Sequence, residues 1–311
     1  TADPALPVRQ CRPLGGARKR VGGLPLLTIL FDGIAYGMLL FVLACGLAVT
    51  LGLMNFINLA HGAFAMVGGY VTVLAMQRLN VPFLLCLPLA FIVSAVMGAI
   101  LERTLYKRVY GQSHLNQVLF SIGLTFMAMA MVDYFMGSQQ QLLHLPEWLS
   151  GRSVVGGVGI GHYRLFVIVI CVALVIGLQL ILSKTRFGSR LRAAVDDPRA
   201  ASGLGININL VFLSTFAFGS GLAGLGGALG ADLLGMDPTF PVKYMIYFLI
   251  VVAVGGTSSL TGPLVASLLL GVADVAGKYY IPTVGAFIIY CVMIVMLMWR
   301  PQGLFSRAGG K

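Results

Sequence analysis

Charge is scarce in this sequence. Of its 311 residues, 10% are Asp, Glu, Lys or Arg, where a soluble globular domain carries about 25%. With 58% hydrophobic residues and a mean hydropathy of +0.93, a soluble enzyme built around one core is excluded. A disordered chain is excluded as well, because it needs low hydrophobicity to stay unfolded. Cysteine is scarce too. Cys11, Cys45, Cys86, Cys171 and Cys291 form no CxxC pair, and four of them fall inside apolar runs. Neither a disulfide framework nor a zinc site is supported, and they read as small packing residues. His114, His144 and His162 fall in loops at no ligand spacing. No GxSxG, HExxH or kinase pattern occurs. The nearest approach to a phosphate loop, Gly271 to Gly277-Lys278, has the wrong spacing and no Ser or Thr after the lysine. No cofactor is expected in this chain.

What the chain has in abundance is apolar sequence and glycine, 40 residues of it. Nine apolar segments stand out, at 24–50, 55–77, 81–101, 116–137, 164–183, 208–235, 243–257, 260–277 and 284–300. A helical crossing needs about 20 residues, and backbone groups in lipid must be satisfied within the segment. A β-barrel would alternate, and runs such as Leu165–Ile170 do not. The fold class is therefore an all-α polytopic membrane protein in a lipid bilayer. The first run spans 27 residues, longer than the roughly 7–15 of a signal-peptide core. Leu43-Ala44-Cys45-Gly46 looks like a lipoprotein box but lies deep in that run.

The net charge of +11 is read as membrane loops, with no nucleic acid as partner. Basic residues cluster at Arg9–Arg20, at Arg103, Lys107 and Arg108, at Lys184–Arg199, and at Arg300–Lys311. The positive-inside rule puts all four clusters in the cytoplasm. Three segments separate the first cluster from the second, where an even number of crossings is needed. The 55–77 segment is the expected exception, because Asn55, Asn58, His61 and Gly62 open it. Irregular polar backbone at depth is tolerated only where protein or a cavity surrounds it. The expectation is eight full crossings plus one broken or re-entrant segment, both termini cytoplasmic. Residues 1–23 form a basic cytoplasmic extension, 24–300 one transmembrane domain with a cytoplasmic loop at 184–207, and 301–311 a cytoplasmic tail.

Carboxylates in apolar segments, Asp32, Asp133, Asp232 and Asp274, lie near segment ends. Ion-coupled carriers and channels with charged rings keep charge at depth, so both are disfavoured. His61 either lines a pathway or helps satisfy a broken helix. The small residues of Gly219–Gly230 fit close helix packing. Gly255, Gly256, Ser258 and Ser259 mark a second interruption, either a pathway break or a turn. In 184–209, Asp197 is a good N-cap and Pro198 suits the first helical position. Gly205 is a plausible stop. That predicts a short helix near 198–204, either a docking element or a surface loop.

Four stretches then carry a family likeness: Asn58-Leu-Ala-His61-Gly62 with the following Gly-Gly-Tyr70, the 188–206 loop, Gly255-Gly256-Thr-Ser-Ser-Leu-Thr-Gly262-Pro, and Arg300-Pro301-Gln-Gly303-Leu-Phe305. In that order the chain, from about residue 28 on, resembles the LivH-type permease subunits of branched-chain amino acid ABC importers. The resemblance implies a non-catalytic subunit forming half of a translocation pathway for branched-chain or other hydrophobic amino acids. It implies a heterodimer with a LivM-like permease, two cytoplasmic ATPases that bind ATP and Mg, and a periplasmic substrate-binding protein. It implies a multi-pass protein of the bacterial inner membrane. By the same likeness Arg192, Ala193, Ala194, Asp197, Ala200, Ala201 and Gly203 fall on the loop that couples to the ATPases. Urea, short amides or aromatic acids are alternative cargoes of this class, and a stand-alone carrier or channel is the other reading.

Overall fold

The structure is a computed structural model that describes residues 25–54, 56, 58–143, 145–155, 158–256, 259–300 and 303–304. In chain order the elements are α1 (Pro25–Met54), α2 (His61–Leu79), α3 (Phe83–Thr104), α4 (His114–Met136), α5 (Glu147–Ser150), β1 (Arg152–Val155), β2 (Val158–Gly161), α6 (His162–Lys184), α7 (Arg186–Asp196), α8 (Pro198–Gly203), α9 (Ile208–Leu234), α10 (Phe240–Gly255), α11 (Thr261–Tyr280) and α12 (Gly285–Trp299). A single turn at Tyr106–Arg108 follows α3. β1 and β2 pair antiparallel as a hairpin, Arg152 opposite Gly161.

Among the described residues, five helices are long and apolar enough to cross a membrane, corresponding to α1, α3, α4, α6 and α9. The helices α2, α10, α11 and α12 are shorter or less apolar, at 19, 16, 20 and 15 residues. The chain is an all-α polytopic membrane protein. Each of the nine apolar runs seen in the sequence coincides with one of these nine helices.

Small residues set the packing. At Gly37 a Cβ would stand 2.7 Å from Ser267 O and 2.9 Å from Leu268 Cα, and at Gly33 one would stand 2.7 Å from Val272 Cα. Only glycine lets α1 and α11 approach so closely. The stripe on α9 does the same for three neighbours: Gly219 lies against Gly46 of α1, Gly227 against Ala65 of α2 and Gly224 against Ser94 of α3. The sequence expectation of a packing stripe is met.

These contacts also fix direction. Gly33 meets Val272 and Gly37 meets Leu268, so α1 and α11 are antiparallel. Gly46 meets Gly219 while Leu43 meets Gly226, so α1 and α9 are antiparallel. Gly98 meets Ser220 while Ser94 meets Gly224, so α3 is antiparallel to α9 and parallel to α1. Between them α2 runs back. Its first residue, His61, lies against Gly46, and Gly69 lies against Met236, just past the end of α9. The bundle thus has a near end, where α1 begins, and a far end, where α1 finishes. The Asp32–Arg164 ion pair puts the start of α6 at the near end. At the far end the tail returns, Leu304 N donating to Val254 O at 2.8 Å.

One expectation is corrected here. The 55–77 segment is broken but not re-entrant: after an irregular entrance, α2 continues toward the near end. The nine apolar helices among the described residues therefore alternate in direction, with eight reversals, and Pro25 and Trp299 stand at opposite ends of the bundle. The termini expected on the cytoplasmic side, residues 1–23 and 305–311, lie outside the described residues, as does the 9–20 basic cluster on which the crossing parity rested. Cys45 is buried, its Sγ donating to Val42 O at 3.1 Å, which is a packing role.

Candidate functional site

The break before α2 is held by side chains from three elements. Asn58 Oδ1 accepts from Ala60 N at 3.1 Å and from the Tyr106 hydroxyl at 3.0 Å. Leu59 N donates to Ser121 Oγ at 3.2 Å, and Thr125 Oγ1 donates to Leu59 O at 3.4 Å. These bonds replace those a helix would have made, as buried backbone requires. His61 is 2% exposed, with Nε2 2.9 Å from Leu43 O and its ring edge-on to Phe248. Its partner lies on α1. Gly62 packs against Pro241 at the start of α10. Asn55 lies outside the described residues.

The second interruption is a tight turn between α10 and α11. Gly256 has φ of +82°, and Gly255 faces Pro263 and Gly262 backbone. Ser258 lies outside the described residues. Ser259 is exposed and lines a far-end cavity of about 390 Å³, which also contains Gln179, Gly188 and Arg192. That cavity brings together one residue expected on the pathway and one expected on the coupling loop.

The 184–207 loop is largely helical. Thr185 caps α7, accepting from Gly188 N at 3.3 Å. Asp197 Oδ1 accepts from Arg199 N at 2.9 Å and Ala200 N at 3.0 Å, with Pro198 at the first helical position. Gly205 follows at φ +81°. The cap and stop were legible in the sequence, and α7 was not recognised as a helix. Leu191 and Ala194 turn inward against Val211 of α9, and Ala201 is buried. Arg192, Asp197, Ala200 and Gly203 face outward, and Ala193 is half-buried. Arg192 donates to Leu182 O, tying α7 to the end of α6. The outward face of this segment is thus α8 with its preceding turn, capped by Leu204, 82% exposed.

Sequence reasoning missed one cluster. At the near end Asp32, Arg164, Lys243, Asp274 and Lys278, from α1, α6, α10 and α11, line one cavity. Only the Asp274–Lys278 spacing of four residues signalled it. Among the described residues, no group of three or more His, Cys, Asp or Glu is placed to hold a metal ion.

Known proteins are similar to this sequence along most of its length. The family described as branched-chain amino acid transport system, permease component, matches residues 29–297. The high-affinity branched-chain amino acid transport system permease protein BraD of Pseudomonas aeruginosa is 30% identical over 299 residues, covering 89% of this chain and 95% of the relative. The corresponding LivH of Escherichia coli K12 is 25% identical over 293 residues, covering 89% and 94%. LivM of the same organism is 24% identical over 294 residues, covering 86% of this chain and 68% of the relative. No solved structure matches the chain.

Proposed function

This chain belongs to the branched-chain amino acid transport permease family, and on that premise we propose that it is the LivH-type half of a paired permease in an ATP-driven importer. Its cargo is branched-chain amino acids. A zwitterion carries no net charge, so an apolar bundle with a few Asn, Ser and Thr groups suffices to pass it. The second half is a LivM-like permease, a pairing supported by this chain's own likeness to LivM. The chain catalyses nothing itself: two cytoplasmic ATPases bind ATP and Mg and dock on α7 and α8.

The far end faces the cytoplasm of a bacterial inner membrane. The clusters at Arg103–Arg108, Lys184–Arg199 and Arg300 all gather there, as the positive-inside rule expects. All nine apolar helices cross, so the periplasmic binding protein meets the near end, where α1 begins. Within the domain, residues 55–62 and the turn at 255–259 border the pathway, the break fixed by Asn58 and His61.

The observation that carries this reading is α8. Its first backbone donors are satisfied by Asp197 while its outer face is left bare, which suits a docking helix and is more than a connecting loop needs. The test is reconstitution in liposomes with the LivM-like permease, the ATPases and the binding protein. ATP-dependent leucine uptake is expected. Uptake that persists when the ATPases are inactivated, or uptake by this chain alone without ATP, overturns the reading.

A further inference from the structure

The near-end cavity measures about 420 Å³, within the roughly 300–1,000 Å³ of small-molecule sites. Its charges come as three pairs. Arg164 pairs with Asp32, Lys278 Nζ lies 2.6 Å from Asp274 Oδ2, and Lys243 Nζ lies 3.8 Å from Asp237 Oδ2 at the margin. Three cations thus meet three carboxylates in these pairs, and Asp232 is a further carboxylate near Arg164.

The pairs are incomplete in a particular way. Asp274 has a side chain only 1% exposed, yet only Oδ2 is engaged. Asp274 Oδ1 and Asp32 Oδ1 are buried with no hydrogen-bond partner among the described residues. Buried acceptors left without donors are costly and rare, so both oxygens call for a donor that the described residues do not supply. Both residues line the cavity. Lys243, by contrast, is half-exposed and held only at the longer distance from Asp237, so its ammonium keeps donors to offer an anion. Tyr36 and Tyr244 present their rings to Lys278 and Lys243 at 5.6 Å and 5.5 Å, so aromatic faces able to hold cations already border the space. Leu233, Leu234 and Val275 supply an apolar wall.

We propose that this cavity is a subsite for a zwitterionic α-amino acid, with its ammonium on the free oxygens of Asp274 and Asp32 and its carboxylate on Lys243. The aliphatic side chain lies against Leu233, Leu234 and Val275. The proposal rests on the importer reading and deepens it by naming the groups that receive the substrate inside the permease. Groups of both signs at one cavity suit a ligand that itself carries one charge of each sign.

The test uses the assembled transporter in lipid nanodiscs without the binding protein, with radiolabelled leucine as probe. Saturable leucine binding is expected. It is displaced at least tenfold less well by 4-methylpentanoate, which lacks the ammonium, and by isopentylamine, which lacks the carboxylate. Lys243→Gln, at a half-exposed position, is expected to weaken leucine and 4-methylpentanoate while sparing isopentylamine. Asp274→Asn is expected to weaken leucine and isopentylamine while sparing 4-methylpentanoate. If Asp274→Asn does not assemble, the Lys243→Gln pattern decides. No saturable leucine binding to the wild type overturns the proposal. So does equal displacement by all three compounds, or a Lys243→Gln variant that loses them equally. ATP-driven uptake by the same preparation, measured with the binding protein added, keeps the two readings apart. If uptake persists while the binding pattern fails, only the subsite is lost; if uptake is absent, the importer reading falls.

Discussion

The imidazole of His61 reaches back eighteen residues to the Leu43 carbonyl, Nε2 to oxygen at 2.9 Å. In a helix that carbonyl already accepts from the backbone four residues on, so the histidine takes its second lone pair. One bond therefore joins the first residue of α2 to the interior of α1, where the chain has just left an irregular stretch. The break before α2 is pinned from both sides, by His61 on α1 and by Asn58 on Tyr106.

Replacing His61 by Ala is expected to remove that pin at a cost of about 1 kcal/mol in stability. Leucine uptake should fall further than the amount of assembled transporter, and His61→Gln should recover part of it. Quantifying both in one membrane preparation checks this. Parallel losses of uptake and assembly would assign His61 a purely structural part.

Asp197 separates capping from charge. Asp197→Ala should loosen the start of α8 at a cost of about 1 kcal/mol. It should leave ATP hydrolysis running while uptake drops. Asparagine caps as well as aspartate, so Asp197→Asn should restore uptake if the cap alone matters. The ratio of uptake to hydrolysis is the quantity to measure, and an unchanged ratio in Asp197→Ala would remove α8 from the coupling path.

Gly203 and Gly205 should behave differently. A Cβ at Gly203 meets nothing within 4 Å, so Gly203→Phe should fold and still block a docked partner. Gly205 has φ of +81°, and Gly205→Ala should cost about 1 kcal/mol or more in strain. Thermal unfolding of the detergent-solubilised protein should report the second, and co-purification of the ATPases the first.

Single cysteines in an otherwise cysteine-free chain test the two ends. Ser202→Cys, beyond α7, and Ser153→Cys, in the near-end hairpin, are both exposed positions. A membrane-impermeant maleimide should reach them from opposite faces. Labelling of both from one face would refute the alternating course of the helices.

Much of the fold was legible because a membrane helix is specified locally, by a run of apolar residues of sufficient length. The cap at Asp197 and the stop at Gly205 were legible for the same reason. α7 was within reach: Phe187, Leu191, Ala194 and Val195 recur at helical spacing on one face, though the arginines between them suggested a loop. The course of α2 was misjudged because it was inferred from the parity of crossings after residues 9–20, which lie outside the described residues. Apart from the Asp274–Lys278 spacing, the near-end cluster was beyond sequence reasoning. Asp32, Arg164 and Lys243 lie far apart in the chain and meet only through the packing of α1, α6 and α10.

The glycine stripe on α9 has a mechanical consequence. Where backbone rests on backbone, no side chain exists to swing to another rotamer and let one helix slide past the next, which is how packed helices ordinarily shear. α1, α2, α3, α9 and α11 are therefore locked together like gears without clearance. Opening and closing during a transport cycle is then expected of helices without such backbone contacts to that block, α4 and α6, turning on a core that keeps its shape.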